Sequence, residues 1–122
     1  MSFHATVPIL RIFDEAKARA FYVDWLGFKV DWEHRFEPNT PIYLQVSRGG
    51  CVLHLSEHHG DGTPGTYVRV QVDELEDYLA ELQSRPYKYF RPSLVDQDWH
   101  QREMCVYDGF GNRIIFCRPL PR

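Results

Sequence analysis

The hydrophobic pattern of the first half of the chain switches between the spacing of strands and that of helices. Residues 6–13 form a short, mostly apolar run that ends at Asp14, a residue that caps helix N-termini well. Residues 15–26 then carry apolar side chains at helical spacing, and Gly27 follows where a left-handed C-cap belongs. Three strand-like segments come next, at residues 28–36, 42–46 and 51–56. The first half is therefore predicted to have the order β-α-β-β-β.

Strict alternation in the first of these three segments predicts a half-exposed strand. One face would carry Phe28, Val30, Trp32, His34 and Phe36, and the charged residues between them would form the other face. Trp32 is thus expected on the same side of the sheet as Val30.

The second half repeats this order after a Gly- and Pro-rich segment at residues 57–65, which is predicted to be a linker. Residues 67–72 are strand-like, and Asp73 is expected to cap a helix over residues 74–83. Residues 87–91, a long loop around 93–100, a strand at 102–107, a turn at 108–112 and a last strand at 113–118 complete the pattern. Two copies of one β-α-β-β-β unit are the simplest account: module one at about 3–57, a linker at 58–65, and module two at about 66–120.

Length and composition restrict what such a chain can do. Its 122 residues suit a single α+β domain, residues 1–122, and the hydrophobic fraction of 43% is enough for a core. The aromatic fraction of 15% is more than a core of this size readily hides, so some rings are expected to line a ligand groove or a subunit contact. The net charge of -3 argues against a nucleic-acid partner. No apolar run is long enough for a membrane helix, and a cytoplasmic location is expected.

The three cysteines, Cys51, Cys105 and Cys117, each lie in an apolar run, and their odd number gives no complete disulfide framework. Reduced, buried thiols are therefore predicted. Nothing in the sequence indicates an activated nucleophile, a Ser-His-Asp arrangement or a phosphate-binding loop.

Several segments together resemble the glyoxalase/bleomycin-resistance/dioxygenase superfamily, also called the vicinal oxygen chelate proteins. They are Leu10-Arg11-Ile12-Phe13-Asp14, Ala20-Phe21-Tyr22, Leu26-Gly27-Phe28, Val52-Leu53-His54-Leu55 and Asp108-Gly109-Phe110-Gly111-Asn112-Arg113. The resemblance covers essentially the whole chain. It implies two βαβββ modules whose mixed sheets curl around a cleft, usually in a homodimer in which both chains complete each site.

The metalloenzymes of this superfamily place metal ligands at four strand positions, which here correspond to Val7, His54, Tyr67 and Ile115. Only His54 is a competent ligand, because Val and Ile have no lone pair and a neutral phenol binds divalent cations poorly. The resemblance therefore implies no metal site and no cofactor, and is closest to the metal-free, dimeric bleomycin-resistance branch.

Seven residues are candidates for contact with a ligand. Trp32, Tyr43 and Trp99 would supply aromatic walls, His54, Tyr67 and Arg69 would point into the cleft by strand alternation, and Glu103 is an acid within reach of Arg69. Each has an alternative that the sequence leaves open. His54 is either a groove hydrogen-bonding group, a structural histidine or a metal ligand; Arg69 either binds a ligand or pairs with an acid such as Glu103; and Trp99 either lines a groove or anchors its own loop.

The sequence therefore predicts a homodimeric, metal-free protein that binds a small planar or cationic molecule, with a bleomycin-type antibiotic as the candidate ligand. No catalytic residue is assigned, and whether the protein is an enzyme stays open, with binding favoured. The alternative is a metal-dependent lyase, thiol transferase or dioxygenase that uses His54 with partners the sequence does not reveal.

Overall fold

The fold consists of two four-stranded mixed sheets with the same topology, one in each half of the chain. A computed structural model describes all residues, Met1–Arg122, and its two units are Met1–Pro64 and Gly65–Arg122. The first unit runs β1 (Ile9–Arg11), α1 (Glu15–Arg19), a π-helical segment (Ala20–Trp25), β2 (Lys29–His34), β3 (Tyr43–Arg48) and β4 (Cys51–Ser56). The second unit runs β5 (Tyr67–Gln71), α2 (Leu75–Ser84), β6 (Leu94–Gln97), β7 (Gln101–Tyr107) and β8 (Arg113–Pro119).

Both sheets pair their strands in the order first, fourth, third, second, namely β1-β4-β3-β2 and β5-β8-β7-β6. The first strand runs parallel to its neighbour in each sheet, and the other pairs are antiparallel. The predicted α+β class with two βαβββ modules is confirmed. No helix in the structure has the length and apolar character needed to span a membrane.

Each sheet buries one face and leaves the other without a helix of its own unit. In the first unit Leu44, Val46, Leu53 and Leu55 alternate onto the buried face of β3 and β4. The residues between them, such as Gln45 and His54, consequently lie on the opposite face. In the second unit the buried face carries Val106, Met104, Ile114 and Phe116, and the ring of Tyr78 from α2 packs edge-on against Phe116.

The helix of the first unit starts as predicted and then widens. The side chain of Asp14 accepts a hydrogen bond from the Lys17 N–H, which caps α1. After Arg19 the helix continues with π geometry, and the Leu26 N–H bonds the Phe21 carbonyl five residues back. The predicted continuous α-helix over residues 15–26 is therefore wrong in its second half, although its aromatic side chains are buried as expected.

A β-bulge in β2 corrects the predicted face of Trp32. Val30 is paired with Val46, whereas Trp32 is paired with the next residue along β3, Gln45, so Asp31 is the extra residue. The extra residue reverses the alternation. Val30 consequently faces the core side, and Trp32 lies on the opposite face of the sheet, not beside Val30 as strict alternation predicted.

Three predictions in the second half are also corrected. Helix α2 begins at Leu75 with no side-chain cap, and Asp73 instead accepts a hydrogen bond from Gln71. Residues 94–97, predicted as loop, form the edge strand β6, whereas the stretch 87–91 contains only an isolated bridge. On the exposed face of α2, Glu76 accepts hydrogen bonds from Arg102 and Arg118.

The turn before β8 is organised by the buried carboxylate of Asp108. Its Oδ1 accepts hydrogen bonds from the backbone N–H groups of Phe110 and Asn112, and its Oδ2 accepts one from the Asn112 side chain at 2.7 Å. Gly109 and Gly111 adopt positive φ angles of 85° and 93°, which lets the chain reverse around that carboxylate. The predicted turn at 108–112 thus sets where β8 begins.

The Gly-rich segment after β4 is held against the first unit. The Glu57 side chain accepts a hydrogen bond from the Ile42 N–H, and Ser56 donates one to Asp61. At Gly62 a Cβ atom would come within 2.8 Å of the Ile9 carbonyl oxygen, and φ is +69°, so only glycine fits. The segment is therefore ordered against β1 and β4.

Candidate ligand-binding faces

The uncovered face of the first sheet brings three of the predicted residues together. Trp32 and Tyr43 lie nearly parallel, with ring planes 8° apart and centroids separated by 6.0 Å. The imidazole of His54 meets both rings edge-on, at 5.3 Å from Trp32 and 5.2 Å from Tyr43. The β2 bulge and the β3–β4 register place these residues side by side, and they form what we call the aromatic platform: Trp32, Tyr43 and His54.

A chain of hydrogen bonds links two members of the platform to neighbouring polar side chains. The Tyr43 hydroxyl is 2.7 Å from His54 Nδ1, His54 Nε2 is 2.9 Å from Gln45 Oε1, and Gln45 Nε2 is 3.0 Å from an oxygen of Asp31. A carboxylate only accepts, so the Gln45 amide must donate to Asp31 and present its oxygen to His54. His54 then carries its proton on Nε2, and its Nδ1 accepts from Tyr43.

The electrostatics of this chain agree with its hydrogen-bond directions. Burial lowers the pKa of His54 below its ordinary value, which favours the neutral imidazole with its proton on Nε2. Hydrogen bonds from Gln45 and Ser47 lower the pKa of Asp31, so its carboxylate is charged at neutral pH. The ammonium of Lys29 lies 3.8 Å from the same carboxylate, in an exposed and therefore weak pair.

The platform leaves apolar area accessible to a ligand. The Trp32 side chain is 43% exposed although its ring stacks on Tyr43. An exposed, preoriented pair of rings is suited to stacking with a flat molecule or to a cation–π contact.

On the second sheet the predicted Arg69 and Glu103 form an ion pair. Arg69 Nη2 lies 2.7 Å from a carboxylate oxygen of Glu103, which is only 9% exposed, and Gln97 donates to its other oxygen at 3.2 Å. The ion-pair alternative for Arg69 is therefore present in the structure, and the charge of Arg69 is neutralised within its own sheet.

A stack of three side chains lies at the other end of the same face. The Arg113 guanidinium is 4.1 Å from the centroid of the Tyr67 ring and 4.9 Å from that of Tyr107. The register pairs Arg113 with both tyrosines, one on each neighbouring strand. Sequence reasoning named Tyr67 but missed Arg113 and Tyr107. The available signal was that Arg113 is the first strand residue after a well-defined turn.

Trp99 lies in the turn between β6 and β7. Its side chain is 54% exposed and has no ring partner. The neighbouring His100 has a positive φ of 61°, and its backbone is fixed by hydrogen bonds with Gln97 and Leu120. The loop is therefore anchored through its backbone, which leaves the Trp99 ring accessible.

A depression of about 430 Å³ in the first unit coincides with none of the predicted residues. Arg11, Phe13, Glu15 and Arg35 contribute to its lining, and the Arg35 guanidinium is paired with Glu15. The charges of Glu15 and Arg35 thus form an ion pair between α1 and the residues that follow β2.

The sequence model of the family described as "Glyoxalase superfamily protein" matches residues 1–120. The chain belongs to the glyoxalase superfamily. No curated protein matches it significantly in sequence.

Among solved structures of glyoxalase-superfamily type, a bleomycin-binding protein complexed with bleomycin is similar to this chain with a TM-score of 0.74 and 18% identity, over 95% of this chain and 98% of that one. The bleomycin-binding protein of Streptomyces verticillus, complexed with copper(II)-bleomycin, gives a TM-score of 0.69 and 22% identity over 100% and 99%. A superfamily member from Sphaerobacter thermophilus gives 0.66 and 20% over 95% and 97%. At these identities the likeness establishes a shared fold.

The residues at the four metal-ligand positions of the superfamily do not suit a metal. Val7 and Ile115 offer no donor atom, and both ring nitrogens of His54 are already engaged with Tyr43 and Gln45. The chain contains no group of three or more His, Cys, Asp or Glu side chains that could hold an ion. The paired His58 and His59 belong to no such group.

The cysteines of this superfamily member are free thiols, but only Cys117 is buried. Cys51 and Cys105 are partly accessible, which corrects the prediction that all three are buried. Burial nevertheless raises the pKa of both thiols, so they are poor nucleophiles at neutral pH.

Proposed function

We propose that the protein is a metal-free small-molecule binding protein that holds a planar, cationic ligand against the aromatic platform. A bleomycin-type antibiotic is the candidate ligand. The observation that carries the proposal is the exposed, parallel Trp32–Tyr43 pair. Tyr43 is held in place by a chain of hydrogen bonds that ends on the charged carboxylate of Asp31.

The physical argument rests on preorganisation. A flexible aromatic side chain loses rotamer freedom when a ligand orders it, whereas Tyr43 is already fixed through its hydroxyl and Trp32 through stacking. The ligand therefore gains stacking and cation–π energy at a small ordering cost. The negative charge of Asp31 favours a cationic group over an anionic one on this face.

The choice of drug is supported by the bleomycin-binding proteins that share the fold. We also propose that this chain binds its ligand as a homodimer in which both chains complete each site. A cytoplasmic location is proposed with it, since three free thiols suit a reducing compartment.

Tryptophan fluorescence tests the proposal directly. Bleomycin is titrated into the Trp99→Phe variant, in which Trp32 is the exposed tryptophan and Trp25, 3% exposed, is a buried background signal. We expect saturable quenching at micromolar drug. The matched Trp32→Phe variant, made in the same Trp99→Phe background, should lose that quenching, because the remaining Trp25 is buried.

Two results would contradict the proposal. Absence of quenching at micromolar drug removes bleomycin as the ligand, and quenching that persists unchanged in Trp32→Phe removes the platform as the site. Metal analysis of protein purified without a chelator provides an independent check. Stoichiometric, tightly bound Zn, Ni, Mn or Fe would support the metal-dependent enzyme instead.

A further inference from the structure

Arg113 is the one arginine on a strand whose side chain donates no hydrogen bond. The other strand arginines are bonded to carbonyls or carboxylates: Arg11, Arg48, Arg69, Arg102 and Arg118. Arg113 has no acid within ion-pair distance, and its Nε is buried without a partner. A buried, unsatisfied guanidinium N–H is costly, so this side chain has unused binding capacity.

The tyrosines restrict how a ligand can reach this charge. Strand β8 lies between β5 and β7, so the rings of Tyr67 and Tyr107 approach the guanidinium from opposite sides. Each ring lies within cation–π distance of the guanidinium carbon, and the Arg113 side chain donates no hydrogen bond within the chain. A ligand is therefore expected to reach the terminal nitrogens between the two rings.

The rings are themselves accessible and uncharged. Tyr67 is 57% exposed and Tyr107 is 44% exposed. A hydrogen bond with Cys105 raises the pKa of Tyr107, which keeps this phenol neutral at physiological pH. The tyrosines thus supply no counter-charge to Arg113 and present apolar area beside it.

We propose that Tyr67, Arg113 and Tyr107 form a binding site for an organic carboxylate with a flat apolar body. The carboxylate accepts two parallel hydrogen bonds from the guanidinium edge, and the flat body packs against the tyrosine rings. A planar carboxylate matches an in-plane approach between two rings better than a tetrahedral phosphate does.

This carboxylate site is distinct from the aromatic platform and does not depend on the proposed function. The platform lies on the first sheet beside Asp31, whereas this site lies on the second sheet and carries the opposite charge. Its spectroscopic readout also differs, because it contains no tryptophan.

Benzoate is the test probe, followed by calorimetry and by the NMR signal of the Arg113 Nε–H group in the full chain. Benzamide, a neutral analogue of similar shape, and benzamidine, a cation, are the comparison probes, and inorganic phosphate tests the alternative oxyanion. We expect benzoate to bind at millimolar concentrations and to shift the Arg113 resonance. Benzamide and phosphate should bind about tenfold more weakly or worse, since they lack either the charge or the planar pair of acceptors.

Variants assign the contact to Arg113. Arg113→Met should abolish benzoate binding, and Arg113→Lys should weaken it about tenfold because the charge stays but the fork is lost. Arg91→Met, at an exposed loop position, removes the same charge and should leave benzoate affinity unchanged. If Arg113→Met does not fold, the wild-type resonance shift and the lysine variant still decide the matter.

Four outcomes overturn the proposal. They are no benzoate binding to the wild type, equal affinity for benzamide, equal or tighter binding of phosphate, and wild-type affinity in Arg113→Met. None of them affects bleomycin quenching of Trp32, so failure here is separable from failure of the proposed function.

Discussion

His54 is fixed by two hydrogen bonds, to Tyr43 and to Gln45. In the neutral imidazole Nε2 donates to Gln45 and Nδ1 accepts from Tyr43, whereas an imidazolium would donate from both nitrogens and reverse the second bond. Burial lowers its pKa in the folded protein, and unfolding restores the ordinary value of about 6.5. The unfolded chain therefore binds this proton more readily than the folded one.

The free energy of unfolding should accordingly decrease as the pH falls from about 6.5 through the lowered pKa of His54. Urea unfolding at a series of pH values, compared between the wild type and His54→Gln, measures this contribution. The variant should lose part of the acid dependence. An NMR titration that gives His54 a pKa at or above the ordinary value would contradict the assignment.

The Trp99→Ala variant distinguishes a role of Trp99 in ligand contact from a role in folding. Because its ring is exposed and has no ring partner, Trp99→Ala should change the free energy of unfolding by no more than about 0.5 kcal/mol. If Trp99 lines the groove, the same variant should weaken bleomycin binding in calorimetry. Trp25→Ala is the contrasting variant, since truncating this buried ring should cost about 3 kcal/mol or more. A comparably large loss for Trp99→Ala would make it a structural plug.

Individual side chains differ in how far the sequence determines them. Alternation placed His54 opposite Leu53 and Leu55, and the structure agrees, because β4 is a regular central strand. Trp32 was wrongly grouped on one face with Val30, since a bulge has no reliable sequence signal. The importance of Arg113 was not visible because it depends on which strands flank β8 in the sheet.

At the level of elements, the β2 bulge determines which residues form the platform. Asp31 is the extra residue, so deleting it should restore regular alternation while keeping Val30 on the core side and Trp32 beside Gln45. We expect this deletion to fold with a loss of about 1 kcal/mol and to keep Trp32 beside Tyr43, while the response of Trp32 to the drug weakens because the Asp31 carboxylate is gone.

Deletion of Val52 is the matched control for that experiment. It lies in regular strand β4, where one missing residue would move Leu53 and Leu55 from the core to the open face. This variant should fail to fold. Equal stability of the two deletions, measured by urea unfolding, would contradict the role assigned to the bulge.

The turn before β8 should be the most sensitive local element. Asp108→Ala removes three hydrogen bonds to a buried carboxylate and leaves buried N–H groups to be satisfied elsewhere, so we expect a loss of about 3 kcal/mol. Asp108→Asn keeps the acceptor that serves the backbone N–H groups and should cost less. Thermal unfolding of both variants tests this order; equal losses would show that the side-chain bond to Asn112 carries most of the effect.

The elements that sequence predicted well are those whose signals are local. The α1 cap at Asp14 and the 108–112 turn rest on side chains that bond their own backbone. Edge strand β6 was missed because it consists of two adjacent apolar residues, Leu94 and Val95, followed by two polar ones, and so shows no hydrophobic alternation. The change to π-helix after Arg19 was missed because buried aromatic residues fit either spacing.

At the scale of the whole molecule, the internal repeat was the strongest feature of the sequence and is present as two sheets of identical strand order. Repetition is detected easily because each copy must contain the same signals in the same order. Because the unit is repeated, the chain has two sheet faces, one in each unit, that no helix of the same unit covers. Large side chains on those faces, including Trp32, Tyr67 and Val95, remain exposed.

Exposed apolar residues on the edge strands, Ile9 and Val95, give the proposed homodimer its physical basis. Apolar side chains that one chain leaves exposed at a sheet edge are commonly buried by a second copy, and β1 and β6 are edge strands of their sheets. Light scattering coupled to gel filtration should then give about twice the chain mass of 14.4 kDa at micromolar concentration. Ile9→Lys on β1 and Val95→Lys on β6 place a charge at an exposed apolar position of each edge. The variant at the pairing edge should shift the mass towards that of one chain while the other stays dimeric, and a wild-type mass of one chain would contradict the dimer.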